Sequence, residues 1–169
     1  MIDKFKNFQA QIVPNPLSIE VVKAEGSYIY GKNKKYLDFV AGVSVCNIGH
    51  SNKKVFRAVS KQLKKYSHVM VYGEFIQEPS VNLCELLVRN LPENLNSVYL
   101  TNSGTEAVEA ALKISKRITG RSKIVSAKNS YHGSTHGSLS VSGYESRKRA
   151  YRPLLPNIEY LEFNCDDLS

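Results

Sequence analysis

SVYLTNSGTEAVEAALKISKRITG, residues 97–120, joins a strand pattern, a tight polar turn and a helix pattern in one uninterrupted run. Ser97-Val98-Tyr99-Leu100-Thr101 alternates and carries β-branched and aromatic side chains, the composition of a short strand. Asn102-Ser103-Gly104-Thr105 follows, with small hydrogen-bonding side chains around a glycine that lets a ligand approach the backbone closely. From there Ala107, Val108, Ala111, Leu112, Ile114, Ser115 and Ile118 recur at helical spacing, and Gly120 is placed to end the helix. Ser103 or Thr105 can cap the free amides, and Glu106 and Glu109 lie where negative charge favours a helix start.

A helix start presents four unpaired amides and about half a positive charge, so with hydroxyls beside it the turn suits an anion. Phosphate is the natural guest. The same residues equally describe an ordinary capped strand-to-helix connection that binds nothing, and a motif of this length does not decide between the two.

The 169 residues are enough for one domain with a real core and for parts of two. Hydrophobic content of 42% and charged content of 22% belong to a globular chain, and no apolar run approaches the roughly 18 residues of a membrane helix. The opening MIDKFKNFQAQIVPNP mixes charge with aromatics and has no apolar signal core, which leads to the expectation of a cytoplasmic protein without membrane attachment. Cys46, Cys84 and Cys165 are odd in number and lack metal-ligand spacing, so free thiols and no metal site are expected. The net charge of +8 is spread over predicted turns and one helix face, Lys53, Lys54, Arg57, Lys61, Lys64 and Lys65 among them. No nucleic-acid motif accompanies it, so a solvated face is expected rather than a nucleic-acid surface.

Along the chain, residues 1–20 read as an arm with Phe5 and Phe8 as anchors and Pro14 and Pro16 blocking regular helix. Ser27–Tyr30 and Lys35–Phe39 form a hairpin pattern about Gly31–Lys34. Ala41–His50 is too glycine-punctuated for a strand and reads as a loop bordering a site, with His50 a structural histidine. A helix from Asn52 to Tyr66 carries Val55, Val59, Leu63 and Tyr66 on one face. Ser67–Gln77 is aromatic and irregular, suited to packing under a partner subunit or lining a pocket. Pro79 opens a helix whose Leu83, Leu86, Leu87 and Leu91 make a face for burial. After Gly120, Lys123–Ala127 is a second strand, which implies a right-handed parallel crossover from Ser97–Thr101. Its following loop, Lys128–Gly137, should then open on the same sheet edge as the Ser-Gly-Thr turn. Tyr131, His132 and Gly133 could stack on and approach a flat heterocycle there, although a simple polar loop fits equally well. Tyr144–Tyr151 is helical and basic, and Ile158–Phe163 resembles a third strand.

Taken in order, Tyr36-Leu37-Asp38-Phe39, Gly42 to His50, Thr101-Asn102-Ser103-Gly104-Thr105-Glu106-Ala107 and Tyr131-His132-Gly133 resemble class III pyridoxal-phosphate aminotransferases, the acetylornithine and ornithine aminotransferase group. The resemblance covers nearly the whole chain. It implies an α/β chain of the fold type I, aspartate aminotransferase-like class, in part: residues 1–50 as arm and part of the small domain, 51–169 as the opening of the cofactor-binding large domain. By resemblance Ser103, Gly104 and Thr105 hold the phosphate of pyridoxal 5′-phosphate (PLP), Tyr131 stacks on its pyridine ring, and His132 and Gly133 complete that wall. Val45, Cys46 and Ser134 fall on the substrate side. The implied partners are an amino donor, a keto-acid acceptor and a second copy of the chain in a homodimer.

The same resemblance places the Schiff-base lysine and the ring-nitrogen aspartate beyond Ser169, so no catalytic residue is assigned and the chain is expected to be an inactive fragment of the enzyme. Two positions depart from the family pattern. Ser134 stands where an arginine usually binds a substrate carboxylate, so the carboxylate must be captured from elsewhere or the amine donor must differ. Gly49-His50-Ser51-Asn52-Lys53 replaces Gly-His-x-His-Pro. The implied function is transamination from an amino acid or ω-amine to a keto acid such as 2-oxoglutarate. An aminomutase of the glutamate-semialdehyde type and a short non-catalytic phosphate-binding or dimerisation module are the alternatives.

Overall fold

A computed structural model of the chain describes residues 1–162, and Phe163 and Cys165 lie outside the described residues. The chain divides into two compact units, Met1–Ile76 and Gln77 onward.

In the first unit a three-stranded antiparallel sheet is built from β1 (Val21–Glu25), β2 (Tyr28–Gly31) and β3 (Lys35–Leu37), in that order. The hairpin read from the sequence is β2–β3, with Ile29 opposite Tyr36. β1 adds to its other edge, with a register shift between Val21 and Lys23. The arm is more regular than its prolines suggest, because helix α1 (Ile2–Phe8) is complete before Pro14 is reached. Helix α3 (Lys53–Leu63) starts where expected: Asn52 Oδ1 accepts from the amides of Lys54 and Val55 and so caps two of the orphan donors.

The segment after β3 is held by Asp38. Its Oδ1 accepts from the amides of Val40 and Ala41, both at 2.9 Å, and its Oδ2 bonds His50 Nε2 at 2.6 Å. His50 also exchanges both backbone bonds with Gly26, at 2.8 and 3.1 Å, which docks the loop on the sheet. The structural reading of His50 therefore holds. Between these anchors the short helical turn α2 (Ala41–Ser44) has positive φ at all four residues, including the β-branched Val43 at 60°. Such a conformation persists only where its surroundings over-determine it.

In the second unit α4 (Glu78–Val88) carries its proline in the first turn, as expected. Its leucine face is not buried: Leu83, Leu86 and Leu87 are exposed in the described chain. Helix α5 (Gly104–Thr119) begins at the Ser-Gly-Thr turn and ends at Gly120, whose φ of 66° is the left-handed cap a glycine adopts most easily. Ser97–Thr101 carries no strand pairing, contrary to its pattern. A strand exists only through a neighbour's backbone, and no described segment runs alongside this one. The parallel pair lies instead between β4 (Ile124–Ala127) and β5 (Ile158–Leu161), in register Ile124 with Ile158.

The buried centre of this unit is the short helix α6 (His136–Val141) and its flanks, where Gly137 to Ser142 are all buried. Three of these are serines, and each is satisfied locally. Ser140 Oγ donates to the His136 carbonyl at 2.7 Å and accepts from the Leu155 amide at 3.0 Å. Ser142 Oγ donates to the Ser138 carbonyl at 2.9 Å and accepts from the His132 amide at 3.0 Å. Small hydroxyl side chains let loop and strand approach closely while leaving no polar atom unpaired. Helix α7 (Glu145–Lys148), a single 3-10 turn (Arg149–Tyr151) and β5 complete the unit, with buried Lys148 donating to Tyr160 Oη at 2.7 Å. Among the described residues no helix is long and apolar enough to cross a membrane.

Candidate functional site

The α5 start is a capped turn with two amide donors left over. Ser103 Oγ accepts from the Glu106 amide at 3.2 Å and donates to Glu106 Oε2 at 3.1 Å, and the same carboxylate oxygen accepts from the Asn102 amide at 2.9 Å. Ala107 is the first residue whose amide reaches back to a helical carbonyl, that of Ser103. The amides of Gly104 and Thr105 have no acceptor among the described residues, and Gly104 lies open to solvent. Of the two hydroxyls expected to assist an anion, that of Ser103 is committed to Glu106. That of Thr105 lies 3.0 Å from Thr135 Oγ1 and 2.5 Å from Ser138 Oγ. With both hydroxyls engaged, the Gly104 and Thr105 amides are the uncommitted main-chain donors of the turn.

The Tyr131-His132-Gly133 loop is brought against this turn. Gly133, at φ 130° and buried, packs on the Thr105 side chain, so that a Cβ there would meet Thr105 Cβ at 2.5 Å and Ser138 Oγ at 2.6 Å. Only glycine fits such an approach at such a φ. Half-buried His132 is oriented from two sides, its amide donating to Ser142 Oγ and its Nε2 lying 3.2 Å from Ser126 Oγ on β4. Ser126 Oγ in turn donates to the Val141 carbonyl at 2.7 Å. Tyr131 stands outside this packing, 57% exposed, with its hydroxyl 3.1 Å from Ser134 Oγ. Its ring is thus available to a flat ligand beside the turn. Ser103, Gly104, Thr105, Tyr131, His132, Gly133 and Ser134 all belong to the second unit. Val45 and Cys46 belong to the first, where Val45 is exposed and the Cys46 amide donates to the Ala41 carbonyl at 2.8 Å.

Sequence reading missed the residue that binds turn and loop together. Glu109, one turn into α5, projects to the start of α6: Oε1 accepts from the amides of Gly137 at 2.9 Å and Ser138 at 3.0 Å, and from Thr135 Oγ1. The Thr135 hydroxyl and these amides, with the charge of His136, hold the Glu109 carboxyl below the usual carboxylate range against the opposing effect of burial. Since Thr135 spends its proton on Glu109, the Thr105–Ser138–Thr135 hydroxyl cluster has two protons left for its three mutual contacts and for the Thr135 carbonyl that Ser138 Oγ also reaches. In the sequence Glu109 reads only as a second acid, after Glu106, near a helix start. No group of three or more metal-ligating side chains occurs among the described residues.

Comparison with known proteins shows the family to which the chain belongs. Residues 8–169 match the family described as aminotransferase class-III. Acetylornithine aminotransferase of Bacillus anthracis is 38% identical over 149 residues, covering 87% of this chain and 37% of its own. A LysW-aminoadipate semialdehyde/glutamate semialdehyde transaminase of Sulfurisphaera tokodaii is 36% identical, with 88% and 38% covered. Among solved structures, the omega transaminase of Pseudomonas jessenii in complex with PMP superposes with a TM-score of 0.89 at 25% identity, covering 96% of this chain and 39% of that one. The chain belongs to the class III aminotransferase family and has the α/β fold of its transaminases. It spans about two-fifths of the length of these relatives.

Proposed function

We propose that this chain supplies the phosphate-holding and ring-facing part of a PLP-dependent transaminase. The enzyme would move an amino group from an amino acid or ω-amine, ornithine- or acetylornithine-like, to a keto acid such as 2-oxoglutarate. The observation that carries the reading is the packing of Gly133 on Thr105, which brings the Tyr131-His132-Gly133 loop, with its exposed Tyr131 ring, against a helix start that has two uncommitted amides. The donor set fits the cofactor: the Gly104 and Thr105 amides and the positive end of α5 would take its phosphate, and the Tyr131 face would take its ring. When bound, PLP supplies an electron sink for the carbanion formed as a proton leaves the donor carbon.

The chain's own residues bind and orient. Ser103 and Glu106 fix the start of α5, Thr105 and Glu109 fix the wall loop, and His132, held between Ser126 and Ser142, sets the height of that wall. Residues 1–50 would form the arm and part of the small domain and 51–169 the start of the large domain of a cytoplasmic homodimer. The exposed apolar side chains of the 67–77 segment, among them Tyr72, Phe75 and Ile76, support a buried role for it in that assembly.

The test is titration of the purified chain with pyridoxamine phosphate and, separately, with pyridoxamine, neither of which carries an aldehyde to react with surface lysines. Saturable binding of the phosphorylated form, competed by inorganic phosphate and at least tenfold weaker for pyridoxamine, is expected from a charge-assisted site. Equal affinities for the two would contradict a phosphate turn.

A further inference from the structure

Lys148 carries an ammonium group on a residue only 3% exposed, and it is paired only at long range. Its Nζ donates to Tyr160 Oη at 2.7 Å and lies 4.1 Å from the centroid of that ring. The Tyr160 hydroxyl spends its own proton on the Ser140 carbonyl, so it serves Lys148 only as an acceptor. The carboxylate that Lys148 meets is that of Glu145, at 3.8 Å, beyond hydrogen-bond length. The other oxygen of Glu145 is held by Arg152 at 2.7 Å. Lys148 and Arg152 thus share one carboxylate, and two of the three Nζ protons meet no acceptor among the described residues.

A cavity of about 270 Å³ adjoins this group. Its lining brings Lys148 and Arg152 together with the apolar Leu154, Leu155 and Ile158. The hydroxyls beside them are spent, Ser140 Oγ on the His136 carbonyl and the Leu155 amide, and Tyr160 Oη on its two contacts. The strongest uncommitted donors are therefore cationic: the Lys148 ammonium and the remaining N–H groups of the Arg152 fork. A buried charge is costly unless it is closely paired, and an anion in the cavity would complete the pairing. Lys148 and Arg152 against Glu145 leave one positive charge, which suits a monoanion, and the volume suits a body of a few carbons.

We infer that this cavity is a binding site for a small aliphatic monocarboxylate, its carboxylate on Lys148 and Arg152 and its short chain against Leu154, Leu155 and Ile158. No residue of the α5 start or of the Tyr131-His132-Gly133 wall lines the cavity, and the assignment does not depend on the transaminase reading. The ligand takes the place at Lys148 that Glu145 fills only at a distance, so Glu145 competes with it.

The test is an NMR titration of the isotope-labelled full chain with butyrate, with butanol as the uncharged control. Butyrate should shift the Leu155, Asn157 and Ile158 amides saturably, and butanol should leave them in place. Affinity should fall roughly fivefold or more in Lys148→Met, which keeps an apolar stem, and in Arg152→Ala, which removes the fork and frees Glu145 to pair with Lys148. Glu145→Gln should bind butyrate roughly 3- to 10-fold more tightly, a gain that a merely structural role for these charges would not produce. Arg152 and Glu145 have exposed side chains, so these two variants decide the matter even where Lys148→Met fails to fold. Butyrate affinity unchanged in Arg152→Ala and Glu145→Gln would overturn the assignment, as would an equal response to butanol or no response at residues 155–158. Shifts confined to the Gly104 and Thr105 amides would also overturn it, by sending the anion to the α5 start.

Discussion

Gly133 rests on the side chain of Thr105, and through that contact the helix-start turn and the aromatic wall become one surface. Gly133→Ala would drive a methyl into Thr105 and Ser138 at a φ that resists any side chain. The variant should lose about 1–3 kcal/mol of stability, the usual cost of overpacking, whereas Ser134→Ala on the exposed neighbour should stay within about 0.5 kcal/mol. Denaturant unfolding of both variants measures the contrast. Equal stabilities would show that the loop does not need this approach.

Glu109 bridges from α5 to the start of α6, so its removal should loosen the wall without touching the turn. Glu109→Ala leaves the Gly137 and Ser138 amides and the Thr135 hydroxyl without their acceptor, a loss of about 1–3 kcal/mol. Hydrogen exchange at those two amides should quicken in the variant while exchange within α5 does not. Protection unchanged at residues 137 and 138 would rule out the bridge.

The same carboxylate sets a pH dependence. Its folded-state pKa is depressed, chiefly by the Thr135 hydroxyl bond, so its contribution is complete above the unfolded value of about 4.3 and fades as the pH falls through the lower folded value. Wild type should thus lose more stability than Glu109→Gln on acidification below about pH 4.3, and the two should run parallel above it. Parallel curves through the acid range would contradict the depressed pKa.

Asp38 does comparable work in the first unit. Its carboxyl is held below the ordinary range first by the His50 bond and then by the Ala41 and Val40 amides. Asp38→Ala, which removes the acceptor of the Val40 and Ala41 amides, should release the positive-φ turn at Ala41–Ser44, seen as faster proteolysis within residues 40–50. The effect should also appear in wild type as pH drops below the unfolded aspartate value of about 3.9.

What the sequence made legible was local. Ser103 as cap, Gly120 as stop, the helix start at Asn52 and the β2–β3 hairpin each depend on residues within a few positions of one another, and each lies within a residue or so of where its pattern put it. The strand pattern at Ser97–Thr101 and the leucine face of α4 depend on distant chain, and neither finds a partner among the described residues. Glu109 was hidden for the same reason, since its acceptor role is defined by amides 28 and 29 residues away. The buried serines at 138, 140 and 142 carried no pattern, because hydroxyl burial is visible only once each bond is located.

The central claim is that main-chain amides at the start of α5 hold a phosphate, and Gly104→Pro isolates it. Proline is favoured at the first helical position, Ser103 before it is already extended, and a Cβ at 104 would meet nothing within 4 Å, so helix and stability should be kept. The substitution removes one of the two uncommitted N–H donors and crowds the other. Calorimetric titration should show pyridoxamine phosphate bound at least tenfold more weakly by Gly104→Pro than by wild type, with the weak binding of pyridoxamine unchanged. An undiminished affinity for pyridoxamine phosphate in a folded Gly104→Pro chain would contradict the account.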